Sequence, residues 1–183
     1  MAVRAMTVVL RKKVLTTIER TEHLVTLTPV GELDWRPTTV PGAGEACELG
    51  HLLGHLLDCM AGFCAAFHAA FPKRLARLAK LKSEKVNHFC APEEWRARVG
   101  IYRKAIGQGF RACTDQDLGR PIKTVFNPRG ELFGSILLGN LEHVLNHKYQ
   151  LFFYLKLLGV PVGTGDLYDL GKRPAGRAGK RSG

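Results

Sequence analysis

The sequence predicts an all-α four-helix bundle. Four long segments carry apolar residues at helical spacing. Three of them are stopped by a Pro or a Gly, and the other opens at a Pro. β-like sequence is confined to one short stretch, so helix-on-helix packing is the architecture that can bury these faces.

The first helix is expected from about Val8 to Leu27. Leu10, Val14, Leu15, Ile18 and Val25 make a broken stripe, with Arg11, Lys12, Glu19 and Arg20 outside it. Pro29 and Gly31 end it, and Pro37 and Pro41 keep the following connector irregular. The second helix is expected from about Glu45 to Phe71, stopped by Pro72. It is apolar nearly all round and should be the most buried element. Gly50 and Gly54, four apart, suggest a close crossing with a neighbour. Residues 49–71 are long and apolar enough to raise a membrane span, but His51, His55, Asp58 and His68 inside them would be costly in lipid. A buried helix, with no membrane partner, is the better expectation.

Segment 72–90 reads as a basic connector with a helical turn around Leu75, Leu78 and Leu81. The third helix starts at Pro92, with Glu93 and Glu94 in the first turn where acids suit the helix dipole, and runs to about Cys113. Ile122 to Phe126 is the β-like stretch, and residues 127–130 (NPRG) are a turn signal. The fourth helix is expected from Ser135, as N-cap, to Leu158. Gly159 stands just past its end and Pro161 two positions beyond. Residues 1–170 are read as one domain, and 171–183 as a basic, disordered tail.

With 183 residues, the chain is long enough for one domain with a proper core. Its net charge is +11. Segment 72–85 holds six basic residues and one Glu, and 171–183 holds five basic residues and no acid, so the rest of the chain is close to neutral. A specific nucleic-acid reader carries its charge on a folded face, so no specific nucleic-acid partner is expected. The five Cys are odd in number and lack CxxC spacing, which excludes a disulfide framework and a Cys-based zinc site. They point to a reducing compartment. The N-terminal apolar run is too short for a signal peptide, so a cytoplasmic location is expected.

Seven histidines are present, and the i, i+4 spacing occurs at 51/55 and at 143/147. Residues four apart share one helix face, close enough for two imidazoles to hold one ion. Neutral imidazole suits zinc, nickel, copper and iron. Gln150 shares the face of His143 and His147 and could orient a ligand or bound water. A third nitrogen must come from elsewhere: His55 on the second helix is the first choice, with His51 the alternative one turn earlier. Three His and an open position make the catalytic rather than the closed structural pattern. Residues 143–147 read HVLNH, so the general-base Glu of HExxH peptidases is replaced by Val144. Asp58, three residues after His55, is either an outer partner of the cluster or a helix-to-helix hydrogen bonder. Cys59 lies one turn from His55 and approaches the cluster only if the helix faces allow it.

These residues resemble the DinB-like (YfiT-type) superfamily of four-helix-bundle metalloproteins. LDWRP (33–37) is similar to the family's approach to helix two. GHLLDCMAGF (54–63) is similar to its helix-two segment, which places the first metal His on His55 and the following aromatic on Phe63. LEHVLNHKYQLFFYLKLLGVPVGT (141–164) is similar to its last helix, which places the other ligands on His143 and His147 and the Gln on Gln150. Where the family often has Arg-Gly after the second His, this chain has Lys148 and Tyr149, expected near the mouth of the site.

The resemblance implies an up-down-down-up bundle and a homodimer. It also implies a divalent metal on three His: zinc or nickel first, with iron or manganese compatible. Some members use low-molecular-weight thiols. The leading expectation is therefore a metal-dependent enzyme acting on small molecules, a thiol S-transferase or hydrolase. The alternative is a non-catalytic metal-binding stress-response protein on the same scaffold. A third class, a nucleic-acid-associated protein, rests only on charge in one connector and the tail.

Overall fold

A computed structural model describes residues 4–37, 47–84, 88–124 and 128–168. The helices are α1 (Ala5–Thr26), α2 (Leu49–Ala70), the short α3 (Leu78–Ser83), α4 (Pro92–Ala112), the short α5 (Asp115–Leu118), α6 (Phe133–Leu157) and the short α7 (Thr164–Leu167). Pro121–Ile122 (β1) pairs antiparallel with Glu131–Leu132 (β2). The tail at 171–183, the proposed helix start at Glu45, Pro41, and residues Val125, Phe126 and Asn127 of the β-like stretch and turn lie outside the described residues.

Side-chain contacts fix the directions. Phe67 meets Phe110 near the far ends of α2 and α4, while Cys90 N–H bonds the Gly50 carbonyl at 3.0 Å near their starts, so these two helices run parallel. Phe67 meets Phe133 and His55 meets His147, so α2 and α6 are antiparallel. Arg103 pairs with Glu22 and Arg4 reaches the Arg111 carbonyl, so α1 runs against α4. The bundle is therefore up-down-down-up. Helices α4 and α6 both flank α2, and α1 packs against the same two helices.

The all-round apolar α2 is the centre. Leu49, Leu52, Leu53, Leu56, Leu57, Met60, Phe63, Cys64 and Phe67 are all fully buried. Burying each large apolar side chain contributes about 1.5–3 kcal/mol before chain entropy is counted. By length and composition α2 could cross a membrane, but 67% of its most apolar window is buried within the bundle.

Helix ends differ from the sequence expectation where distant groups supply the caps. Helix α1 starts three residues early because Asp115 accepts from Met6 N–H at 3.0 Å and from Thr7 N–H at 2.8 Å. Helix α2 starts late, at Leu49, whose N–H bonds the Trp35 carbonyl at 2.9 Å; Gly50 N–H bonds that of Leu33 at 2.8 Å. The backbone of the LDWRP segment is the cap. Ser135 is not the N-cap of α6. The helix begins at Phe133, whose N–H bonds the Arg120 carbonyl at 2.9 Å and whose ring is fully buried.

The end of α6 is as expected. Gly159 has φ +76°, and the Val160 and Gly159 N–H groups bond the carbonyls of Leu155 (2.9 Å) and Lys156 (3.1 Å), closing a Schellman motif. Helix α5, with its Thr114–Asp117 capping box, and helix α7 were not expected from sequence.

Candidate metal centre

The antiparallel crossing of α2 and α6 brings three histidines together. His55 Nε2 lies 3.1 Å from His143 Nε2 and 3.1 Å from His147 Nε2. His143 and His147 stand one above the other on α6, with ring centroids 4.8 Å apart. His143 is exposed while His55 and His147 are partly buried, so the cluster opens to solvent on one side.

Each further expected residue has a defined place. Gln150 Oε1 is 2.9 Å from His147 Nδ1. His51 is turned away: its Nδ1 pairs with Glu48 at 2.9 Å, and its ring meets the Phe89 edge at 5.4 Å. Asp58 makes no hydrogen bond to the histidines among the described residues and acts on His143 through its charge alone. Cys59 Sγ lies 3.8 Å from His143 Nδ1, beside the ring nitrogen that does not face His55. His55, Cys59 and His143 therefore form an overlapping donor group, with donor atoms within 4.8 Å of one another. Burial first, and then the Asp58 charge, pushes the Cys59 thiol up to about 12, so it stays protonated at neutral pH. Burial, then the nearby His147, holds His143 below its ordinary value, which favours the neutral, ligand-competent ring.

Lys148 is not at the mouth of the site. It is buried, and its ammonium donates to the Leu167 carbonyl at 2.7 Å and sits 5.5 Å from the Tyr168 ring centroid. One residue past His147 is about 100° around the helix, which aims it at α7 instead. Tyr149 is exposed and lies against Phe153.

Two participants were missed from sequence. Tyr154 Oη contacts both Gln150 Nε2 and the Cys47 carbonyl at 3.1 Å. Residues 143, 147, 150 and 154 form one i, i+4, i+7, i+11 stripe, so the period could have found Tyr154. Cys47 carried no such signal, because only the fold brings it there. A second cluster joins His88, Cys90 and Glu94. It reads as an ion-pair network: the same Glu94 oxygen takes His88 at 2.8 Å and Arg98 at 3.1 Å, while Cys90 donates to the Ala91 carbonyl. The Arg98 guanidinium already occupies the carboxylate a cation would need.

No protein-family model and no curated protein matches the sequence. Solved structures do match. A DinB-like protein, YjoA, from Bacillus subtilis superposes with a TM-score of 0.60 at 17% identity, over 84% of this chain and 96% of that one. A mycothiol-dependent maleylpyruvate isomerase superposes with a TM-score of 0.56 at 13% identity, over 89% of this chain and 65% of that one. This chain thus spans about two thirds of the isomerase. The fold is the all-α DinB-like bundle.

Proposed function

We propose that this protein is a DinB-like metal-dependent enzyme acting on small molecules, with thiol S-transfer the leading reaction class and hydrolysis the next. The observation that carries the reading is the convergence of three imidazole Nε2 atoms from α2 and α6 at a solvent-open position. Nitrogens on one tetrahedral zinc, each about 2.0–2.1 Å from the ion, stand about 3.3–3.4 Å apart. The 3.1 Å spacings are within a few tenths of an ångström of that. The donor set suits zinc or nickel first, and iron also.

His55, His143 and His147 would hold the ion. When bound, it supplies Lewis-acid activation of a thiol, a water or a substrate oxygen. Gln150 holds the His147 ring through Nδ1. The buried face of α2 keeps water from the inner side of the cluster, and the exposed side of His143 leaves a path for substrate. The fold shared with a mycothiol-dependent enzyme supports a low-molecular-weight thiol as cosubstrate. A homodimer in the cytoplasm belongs to the same reading.

Metal analysis of the protein as isolated tests it. Near one divalent ion per chain is expected, and replacing His55, His143 and His147 together by Ala should empty the site. Unchanged metal content in that variant removes the basis of the reading. A screen of thiol cosubstrates with electrophiles then tests activity. Silence with metal bound would favour a non-catalytic metal-binding stress-response protein.

A further inference from the structure

We infer that Tyr154 is a positioning residue. Its single hydroxyl proton, spent on the Cys47 carbonyl, fixes the Gln150 amide and thereby locks His147 as the Nδ1–H tautomer, with the Nε2 lone pair turned toward His55.

The deduction follows from which atoms can donate. Tyr154 Oη lies 3.1 Å from the Cys47 carbonyl oxygen. A carbonyl only accepts, so the hydroxyl proton points there. Tyr154 Oη then has only lone pairs for Gln150, which lies 3.1 Å away. The amide must present its NH2 end to the tyrosine. The second contact of that nitrogen, Cys47 Sγ at 3.9 Å, agrees. The amide oxygen is therefore left facing His147 Nδ1 at 2.9 Å, and an amide oxygen only accepts. Nδ1 must carry the proton, and in the neutral ring Nε2 must then carry none.

The anchor is rigid. Tyr154 is almost fully buried, and the Trp35 ring stands edge-on to it with centroids 5.2 Å apart. The carbonyl it grips lies two residues before the first turn of α2. One hydroxyl thus ties the residues that lead into α2 and the open nitrogen of His147 into a single chain of hydrogen bonds, while Trp35 of the LDWRP connector packs edge-on against its ring. Without that hydroxyl the amide can rotate by half a turn, offer NH2 to Nδ1 and stabilise the Nε2–H tautomer, which has no lone pair to give.

The test uses the full metal-free chain, labelled with 15N-histidine and kept at about pH 8, where an ordinary imidazole is neutral. In the wild type, the His147 spectrum should show a protonated Nδ1 and a bare Nε2. Tyr154→Phe should shift His147 wholly or partly to Nε2–H, and Gln150→Leu should do the same without touching Tyr154. Adding Gln150→Glu to Tyr154→Phe should restore Nδ1–H, because a carboxylate has nothing to donate. A structural role alone would not give that rescue. Retention of pure Nδ1–H in both single variants overturns the inference, as does failure of the double variant to restore it.

A second arm rests on the metal-binding reading above: Zn2+ affinity, measured against a chromophoric chelator, should fall roughly 10–100-fold in Tyr154→Phe. If the wild type binds no Zn2+, the metal reading fails while the tautomer result stands by itself.

Discussion

Gly54→Ala should destabilise this protein although alanine is the better helix former. Gly54 lies in the third position-pair of α2, under the chain that enters α4. A Cβ there would stand 2.8 Å from the backbone nitrogen and carbonyl carbon of His88, and closer still to its carbonyl oxygen. Carbon contacts are comfortable at about 3.5–4.0 Å, so the 88–90 segment must retreat by roughly 1 Å. That retreat strains the 3.0 Å bond from Cys90 N–H to the Gly50 carbonyl and lifts Phe89 from His51. Overpacking costs about 1–3 kcal/mol and a weakened backbone hydrogen bond about 0.5–1.5, against about 1 kcal/mol gained from helix propensity. The net expectation is a loss of about 1–3 kcal/mol.

Urea unfolding followed by circular dichroism measures it. Gly100→Ala, in α4 with open space around its Cβ, is the control and should gain about 0.5–1 kcal/mol. If Gly54→Ala is as stable as Gly100→Ala, the close approach of the 88–90 segment to α2 is wrong.

Four other outcomes are expected. His55→Ala should weaken Zn2+ binding by roughly 100-fold or more, beyond what loss of an outer partner costs, whereas His51→Ala should leave it unchanged; equal effects would mean the wrong helix-two histidine is in the cluster. Asp115→Ala should lower stability at neutral pH. The Thr7 hydroxyl first, and then backbone N–H groups of α1, hold the Asp115 carboxyl below its ordinary 3.8, so its contribution is full above that value and lost as pH falls through the folded one. The gap between wild type and variant should therefore close in acid, and a gap constant with pH would refute it. His23 first, and then the Gly163 N–H, similarly hold Asp166 below 3.8, so the α1–α7 contact should also survive until strong acid; amide exchange of α7 in acid reports this. Burial pushes Cys59, Cys64 and Cys90 up to about 12 and Cys113 to about 11, so a thiol reagent at about pH 8 should label these four only as fast as the chain opens. Rapid labelling of the native chain at any of them would contradict their burial.

The bundle and its candidate centre were legible in the sequence to the extent that they are local. A 3.6-residue period states which face of each helix is apolar. Four-residue spacing puts His143 and His147 on one line, and Gly159 with its positive φ marks where α6 must stop. None of these depends on a partner. The sequence left open whether His51 or His55 meets that pair, since both lie on the same helix one turn apart. Helix ends capped from afar were equally hidden: Asp115 for α1, the Leu33 and Trp35 carbonyls for α2, and the Arg120 carbonyl for α6.

Gly50 and Gly54 suggested a close approach, but only the tertiary structure shows that the 88–90 segment makes it. Lys148 and Tyr149 are neighbours in sequence, yet a 100° step sends one into the α7 contact and the other to solvent. Local periodicity determined which residues share a face. The antiparallel docking of α2 on α6 decided which faces meet, because that depends on contacts between residues some ninety positions apart, such as His55 and His147.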